Sequence, residues 1–164
     1  MEVWDAYYAD GTPAGIDLIR GEPVPDGLYH MVSEILVRHT DGDYLLMKRD
    51  PRKTTYGGYE EATAGGSAIK GEDASTCAMR ELREETGITA SNLSHVSVTV
   101  TDGVIYHAFL CVTDCEKKAI KLQEGETVSF RWIGEKEFIR FFRSAEMIPH
   151  TQEHYRSLFE NKTE

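Results

Sequence analysis

The sequence predicts an α+β fold: a mixed β-sheet between helices, an α/β/α sandwich, with a β-hairpin extension at the N-terminus. Three observations predict it. One helical segment, residues 73–86, stands alone mid-chain with strand-like runs before and after it. Asp10-Gly11, Asp41-Gly42 and Asp102-Gly103 each join two such runs, which is hairpin-turn chemistry. Helical spacing of apolar residues returns only near the C-terminus, around Phe138 and Tyr155. Strands on both sides of one central helix, with helices last, match the layered mixed folds.

Taken in order, residues 4–9 and 16–19 form the N-terminal hairpin, with Trp4, Tyr7, Tyr8, Ile16 and Leu18 expected to be buried. Residues 29–38 read as a central strand because they are apolar almost throughout, and residues 44–49 return from it. A turn-rich basic loop, residues 50–58, leads to a short strand at 59–64 and a Gly65-Gly66 loop into the helix. Residues 93–101 alternate as a strand, and residues 104–113 are a second apolar, central one. A polar connection, 114–125, precedes a strand at 128–133 and a helix at 135–142 with Phe138, Phe141 and Phe142 inward. Pro149 opens a last helix, 150–161, with Tyr155, Leu158 and Phe159 on one face.

At 164 residues the chain is expected to be a single domain, 1–164, with an extension at 1–28, a core at 29–142 and a C-terminal helix in 143–164. A net charge of −10 argues against binding nucleic acid or anionic lipid. No apolar run approaches the roughly 20 residues of a membrane span. The acidic, aromatic N-terminus lacks the basic-then-apolar order of a signal peptide, so a cytoplasmic location is expected. Cys77, Cys111 and Cys115 show no zinc-type spacing and read as thiols in a reducing compartment.

The central helix carries the chemistry. Asp73 is a good N-cap, no Gly or Pro interrupts residues 74–86, and Gly87 suits a left-handed stop. Ala74, Cys77, Ala78 and Leu82 form its buried stripe. Glu81, Glu84 and Glu85 share one ridge, a like-charge arrangement that costs a few tenths of a kcal/mol per pair. Arg80 cannot neutralise all three. A hard divalent cation, which takes oxygen ligands, can.

The full spacing is Gly66-x5-Glu72-x7-Arg80-Glu81-Leu82-x-Glu84-Glu85-x-Gly87-Ile88. It resembles the Nudix box at every specified position. The resemblance implies the Nudix fold and hydrolysis of a diphosphate linkage in a nucleoside diphosphate derivative, with Mg²⁺ or Mn²⁺. It implies that Glu81, Glu84 and Glu85 bind metal, with a backbone carbonyl from Gly65 or Gly66. Arg80 and Glu72 would orient the helix against the preceding loop, and Gly87 would close the box. Glu81 or Glu84 would take the proton of the attacking water, and that choice stays open. MutT-type members carry a further Glu six residues before a Trp, the place of Glu126 before Trp132, with Glu124 in reserve.

Lys48, Arg49, Arg52 and Lys53 form a basic cluster just before the box, suited to holding phosphate. Tyr56 and Tyr59 fall near the place where family members often carry a Pro-Gly-x-Trp-Glu run, so Tyr59 is a candidate base contact. Residues 1–38, with Trp4-Asp5, Arg20-Gly21-Glu22 and Tyr29-His30, also look like the isopentenyl-diphosphate-isomerase-like branch of the superfamily. That branch places Cys and His in the loop before the box helix, and this chain reads Ala62-Thr63-Ala64-Gly65-Gly66-Ser67 there. His30 and His107 are single strand histidines, read as core or surface residues. The expected partner is a small nucleoside diphosphate substrate, with no nucleic acid, no membrane and a homodimer in prospect. The alternatives are an isomerase acting on an allylic diphosphate and a Nudix binding module that has lost catalysis.

Overall fold

A computed structural model describes residues 1–163. The order is β1 (Val3–Tyr7), β2 (Pro13–Ile19), β3 (His30–His39), β4 (Tyr44–Arg49), β5 (Glu60–Glu61), β6 (Thr63–Ser67), α1 (Ala74–Thr86), β7 (Ser94–Thr101), β8 (Val104–Thr113), β9 (Thr127–Ile133), α2 (Glu135–Arg143) and α3 (Pro149–Phe159). β1 and β2 pair with each other, and the other strands form one mixed sheet. Its axis is the parallel pair β3–β8, in register from His30↔Val104 to His39↔Thr113. The remaining pairings are antiparallel: β4 and β6 on β3, β5 and β9 on β4, and β7 on β8.

Side chains of a strand alternate between faces, and both faces of β3 and β4 are covered. Ile35, Val37, Leu45 and Met47 pack under α1 with Ala78 and Leu82. Leu36, Tyr44 and Leu46 pack under α2 and α3, where the Tyr44 and Phe138 rings stack at 4.2 Å. This two-sided burial explains the nearly unbroken apolar runs of these strands. Full burial of Leu82 alone is worth about 1.5–3 kcal/mol.

The hairpin is fastened to the sheet and to the loop before α1. Tyr7 and Tyr29 exchange two backbone hydrogen bonds of 2.9 Å. Trp4 stacks on His30 at 4.3 Å. The Lys70 amide donates to the Val3 carbonyl at 2.8 Å, and the Gly71 amide donates to Asp5 Oδ2 at 2.7 Å.

Four expectations are corrected. Tyr8 lies beyond the end of β1 and Ile16 in the part of β2 where the pairing register shifts, and both are exposed, whereas Trp4, Tyr7 and Leu18 are buried. The strand expected at 59–64 is two strands: the chain leaves β4 after Glu61 and joins β3 from Thr63. Gly65 and Gly66 therefore belong to β6. At Gly65 a Cβ would lie 2.3 Å from the Ser33 carbonyl oxygen, so the close strand approach requires glycine. The polar connection 114–125 contains a 3-10 turn, Lys117–Ala119, and sends Ile120 into the core beneath α1. On α3 the buried residues are Thr151, His154, Tyr155 and Phe159, with Leu158 only partly covered. No helix among the described residues is long and apolar enough to cross a membrane.

Candidate active site

The position of α1 is set at both ends. Asp73 caps it by accepting from the Thr76 amide at 2.7 Å, and Gly87, at φ 76°, returns its amide to the Arg83 carbonyl. Arg80 then locks the helix to the loop before it. Its Nε and Nη2 fork onto the two oxygens of Glu72 at 2.7 and 2.9 Å, and Nη2 also reaches the Ser67 carbonyl at 3.1 Å. Glu72 accepts from the Ile69 amide at 3.0 Å. The remaining guanidinium nitrogen, Nη1, meets Glu81 at 2.6 Å and Glu84 at 3.3 Å.

Glu81 lies flat against Gly66, and Glu85 is buried at the root of the helix, where Oε2 accepts from the Gly65 amide at 3.1 Å. Burial pushes the Glu85 carboxyl up to about 8, and the nearby charges of Glu61 and Glu81 push the same way. Glu81 is raised as well, first by burial and only partly offset by Arg80. The Gly66 carbonyl takes the Cys77 thiol at 3.5 Å.

These groups line one cavity of about 400 Å³. It brings Gly66 of β6, Glu81, Glu84 and Glu85 of α1, and Glu126 just before β9 together with Arg49 and Arg80. Lys53 stands in the same cavity, paired with Glu126. Arg49 donates to Glu61 at 2.7 Å and to the Thr55 carbonyl at 3.1 and 3.3 Å.

Three residues of the basic and aromatic set lie elsewhere. Lys48 and Tyr59 line a separate cavity with Glu60, Phe141 and Glu146, because strand alternation turns Lys48 away from the face that carries Arg49. Arg52 is exposed and forks onto Asp50, whose carboxylate it holds well below the usual range. Glu124 is exposed and outside the cavity lining.

Residues not expected at the site from sequence also enter the cavity: Glu61, Gln123, and Glu2 and Arg20 of the hairpin. Glu61 had one usable signal, since Glu60-Glu61 in a strand must point to opposite faces. Glu34 had another, a carboxylate inside the apolar run of β3. It is buried on the α3 side, 2.8 Å from His154 Nδ1 and 3.3 Å from His150 Nε2.

The donor chemistry fits a hard divalent cation. Several carboxylates share one wall, and the buried one among them, Glu85, is costly to ionise without a positive neighbour. Among the described residues no three such groups yet converge on a point, since Glu81 is drawn to Arg80 and Glu85 to the Gly65 amide.

A mixed sheet whose crossover helix presents a carboxylate ridge to a cavity large enough for a small-molecule ligand fits a hydrolase of the Nudix type. The NUDIX domain family matches residues 28–157, and the chain belongs to that family. An uncharacterized Nudix hydrolase from Listeria monocytogenes is 29% identical over 153 residues, covering 92% of this chain and 90% of that protein. The crystal structure of DR0079 from Deinococcus radiodurans shares the fold with a TM-score of 0.75, at 16% identity and with 95% and 98% of the two chains covered. A MutT protein structure from Methanosarcina mazei matches with a TM-score of 0.61 at 25% identity, over 82% of this chain and 96% of that one.

Proposed function

We propose that this Nudix hydrolase cleaves a diphosphate linkage in a nucleoside diphosphate derivative in a reaction that depends on Mg²⁺ or Mn²⁺. The observation that carries this reading is the single cavity in which Glu81, Glu84, Glu85 and Glu126 meet Arg49 and Lys53. Glu81, Glu84, Glu85 and Glu126 would hold the cation, with the Gly66 carbonyl beside them. Such a cation, when bound, offsets diphosphate charge and acidifies water.

The chain's own residues supply the rest. Arg80 holds the ridge in place through Glu72 and Ser67, so the carboxylates do not drift. Arg49 and Lys53 attract the phosphates. Water adds to one phosphorus, the bond to the bridging oxygen breaks, and the water proton passes to Glu81 or Glu84. Two phosphate-bearing products leave. Glu84 is the more exposed of the two and Glu81 the more enclosed, at 41% and 12% of the side chain.

An isomerase reading would need a reactive thiol near the helix. Cys77 is the cysteine of α1, and burial pushes its thiol up to about 12, which keeps it protonated and inert.

The experiment is a product assay. Purified protein with Mg²⁺ or Mn²⁺ is given nucleotide sugars, dinucleoside polyphosphates, nucleoside di- and triphosphates and coenzyme A, beside the Glu85→Gln variant. Turnover of one class, lost in the variant, is the expected result. A variant as fast as the parent would remove Glu85 from the mechanism.

A further inference from the structure

The family match begins at residue 28, yet the catalytic cavity is lined by two residues that precede it, Glu2 and Arg20. Both come from the hairpin. Arg20 directly follows β2, and its amide donates to the Glu2 carbonyl at 3.1 Å, so the ladder of the hairpin aims its side chain. The hairpin itself is held to the loop before α1 by the Lys70 and Gly71 amides and by the Lys70–Asp17 ion pair at 2.6 Å. Arg20 is thus carried into the cavity by a fastened element.

The cations of the cavity differ in what they have left to give. Arg49 already donates to Glu61 and the Thr55 carbonyl, Lys53 to Glu126, and Arg80 to Glu72, Ser67, Glu81 and Glu84, so each meets a phosphate with part of its donors engaged. Arg20 makes one ion pair among the described residues, Nη1 to Glu2 Oε2 at 3.1 Å, and its side chain is 67% exposed. A guanidinium has five N–H donors in a fork that matches phosphate oxygens. Arg20 therefore brings spare, forked donors to the cavity.

We propose that Arg20 is a substrate-binding residue of the hydrolase, one that grips a phosphate of the diphosphate-containing substrate and makes the N-terminal hairpin part of the active site. This rests on the diphosphate reading above. Glu2 orients the guanidinium and covers one donor, leaving the outer edge for the ligand.

The test uses the full chain with Arg20→Gln and Arg20→Lys, and Arg83→Gln as a control that removes one charge from exposed helix surface. Binding of imidodiphosphate, a non-hydrolysable diphosphate, is measured by calorimetry with Mg²⁺ at two salt concentrations. The expected result is about fivefold to tenfold weaker binding in Arg20→Gln, partial recovery in Arg20→Lys, and parental affinity in Arg83→Gln. With the substrate found by the product assay, KM rises in Arg20→Gln far more than kcat falls. Parental affinity in Arg20→Gln, an equal loss in Arg83→Gln, or no imidodiphosphate binding by the parent would each overturn the proposal. If the parent turns over no diphosphate yet binds imidodiphosphate through Arg20, the hydrolysis reading fails and the Arg20 assignment stands.

Discussion

A Cβ on Gly66 would lie 2.5 Å from Oε1 of Glu81, closer than any side chain tolerates. The glycine of β6 and the glutamate of α1 therefore occupy each other's space. What gives way at this contact is the end of a side chain, not backbone. Gly66→Ala should leave the melting temperature within a few degrees while lowering turnover about 10- to 100-fold, since displacing a reacting group by about 1 Å can cost that much. Gly65→Ala meets the Ser33 carbonyl instead, at 2.3 Å, and should fail by instability. Thermal denaturation of both variants beside their kcat values checks the contrast. Equal stability in the two would contradict it.

Glu85 ties function to a stability cost. Its folded pKa, about 8, lies above the ordinary carboxylate value of about 4.3. The unfolded chain releases this proton first, so metal-free stability falls as pH rises from about 4.3 through 8. Glu85→Gln removes that loss. In chelator at pH 8 the variant should melt at least about 2 °C above the parent, with the gap closing near pH 4.5. A variant that melts lower at pH 8 would refute this, whatever its activity.

Arg80 acts through geometry as well as charge. Its fork spans both Glu72 oxygens and the Ser67 carbonyl, which lysine cannot reproduce. Arg80→Lys should cost about 1–3 kcal/mol, visible as a lower denaturation midpoint, and turnover should fall with it. Unchanged urea midpoints would show that the loop is held by other contacts.

On the opposite face, the link between β3 and α3 should depend on pH. Hydrogen bonding to Glu34 raises His150 above its ordinary value, with burial opposing. The sum at Glu34 is a lowered pKa, because burial is outweighed by His150 and His154. Glu61, Arg49, Tyr106 and Tyr155 also surround the pair. His150 stabilises the fold fully below about 6.5, and that contribution is lost as pH rises through its folded value. The Glu34 contribution is present above about 4.5 and is lost as pH falls. His150→Gln should flatten the decline of melting temperature on the alkaline side of pH 6.5. A decline as steep as in the parent would exclude this pair as its cause.

The helix and most strands were legible because their signals are local. Caps at Asp73 and Gly87, Asp-Gly turns and apolar runs need no partner to be read. The carboxylate ridge was legible for the same reason, since Glu81, Glu84 and Glu85 lie within two turns of one helix. What escaped depends on pairing. Gly65 and Gly66 joined a strand because β3 offers an edge there, and Lys48 and Arg49 parted because β4 has two covered faces. Arg20 entered the cavity through the fastening of a hairpin at loop residues 70 and 71, a contact across some fifty positions that no periodicity records.

The parallel pairing of β3 with β8 carries a consequence for how the protein is made. Residue 30 waits for residue 104 and residue 39 for residue 113, so the axis of the sheet cannot zip while the chain is still short. Pairings of such long range are slow to close. A ribosome that has released α1 has delivered the whole carboxylate ridge but not the strand that lets β3 settle, nor Lys53's partner Glu126. Until the last third of the chain emerges, the acidic helix has no finished sheet beneath it, and the site is assembled near the end of synthesis.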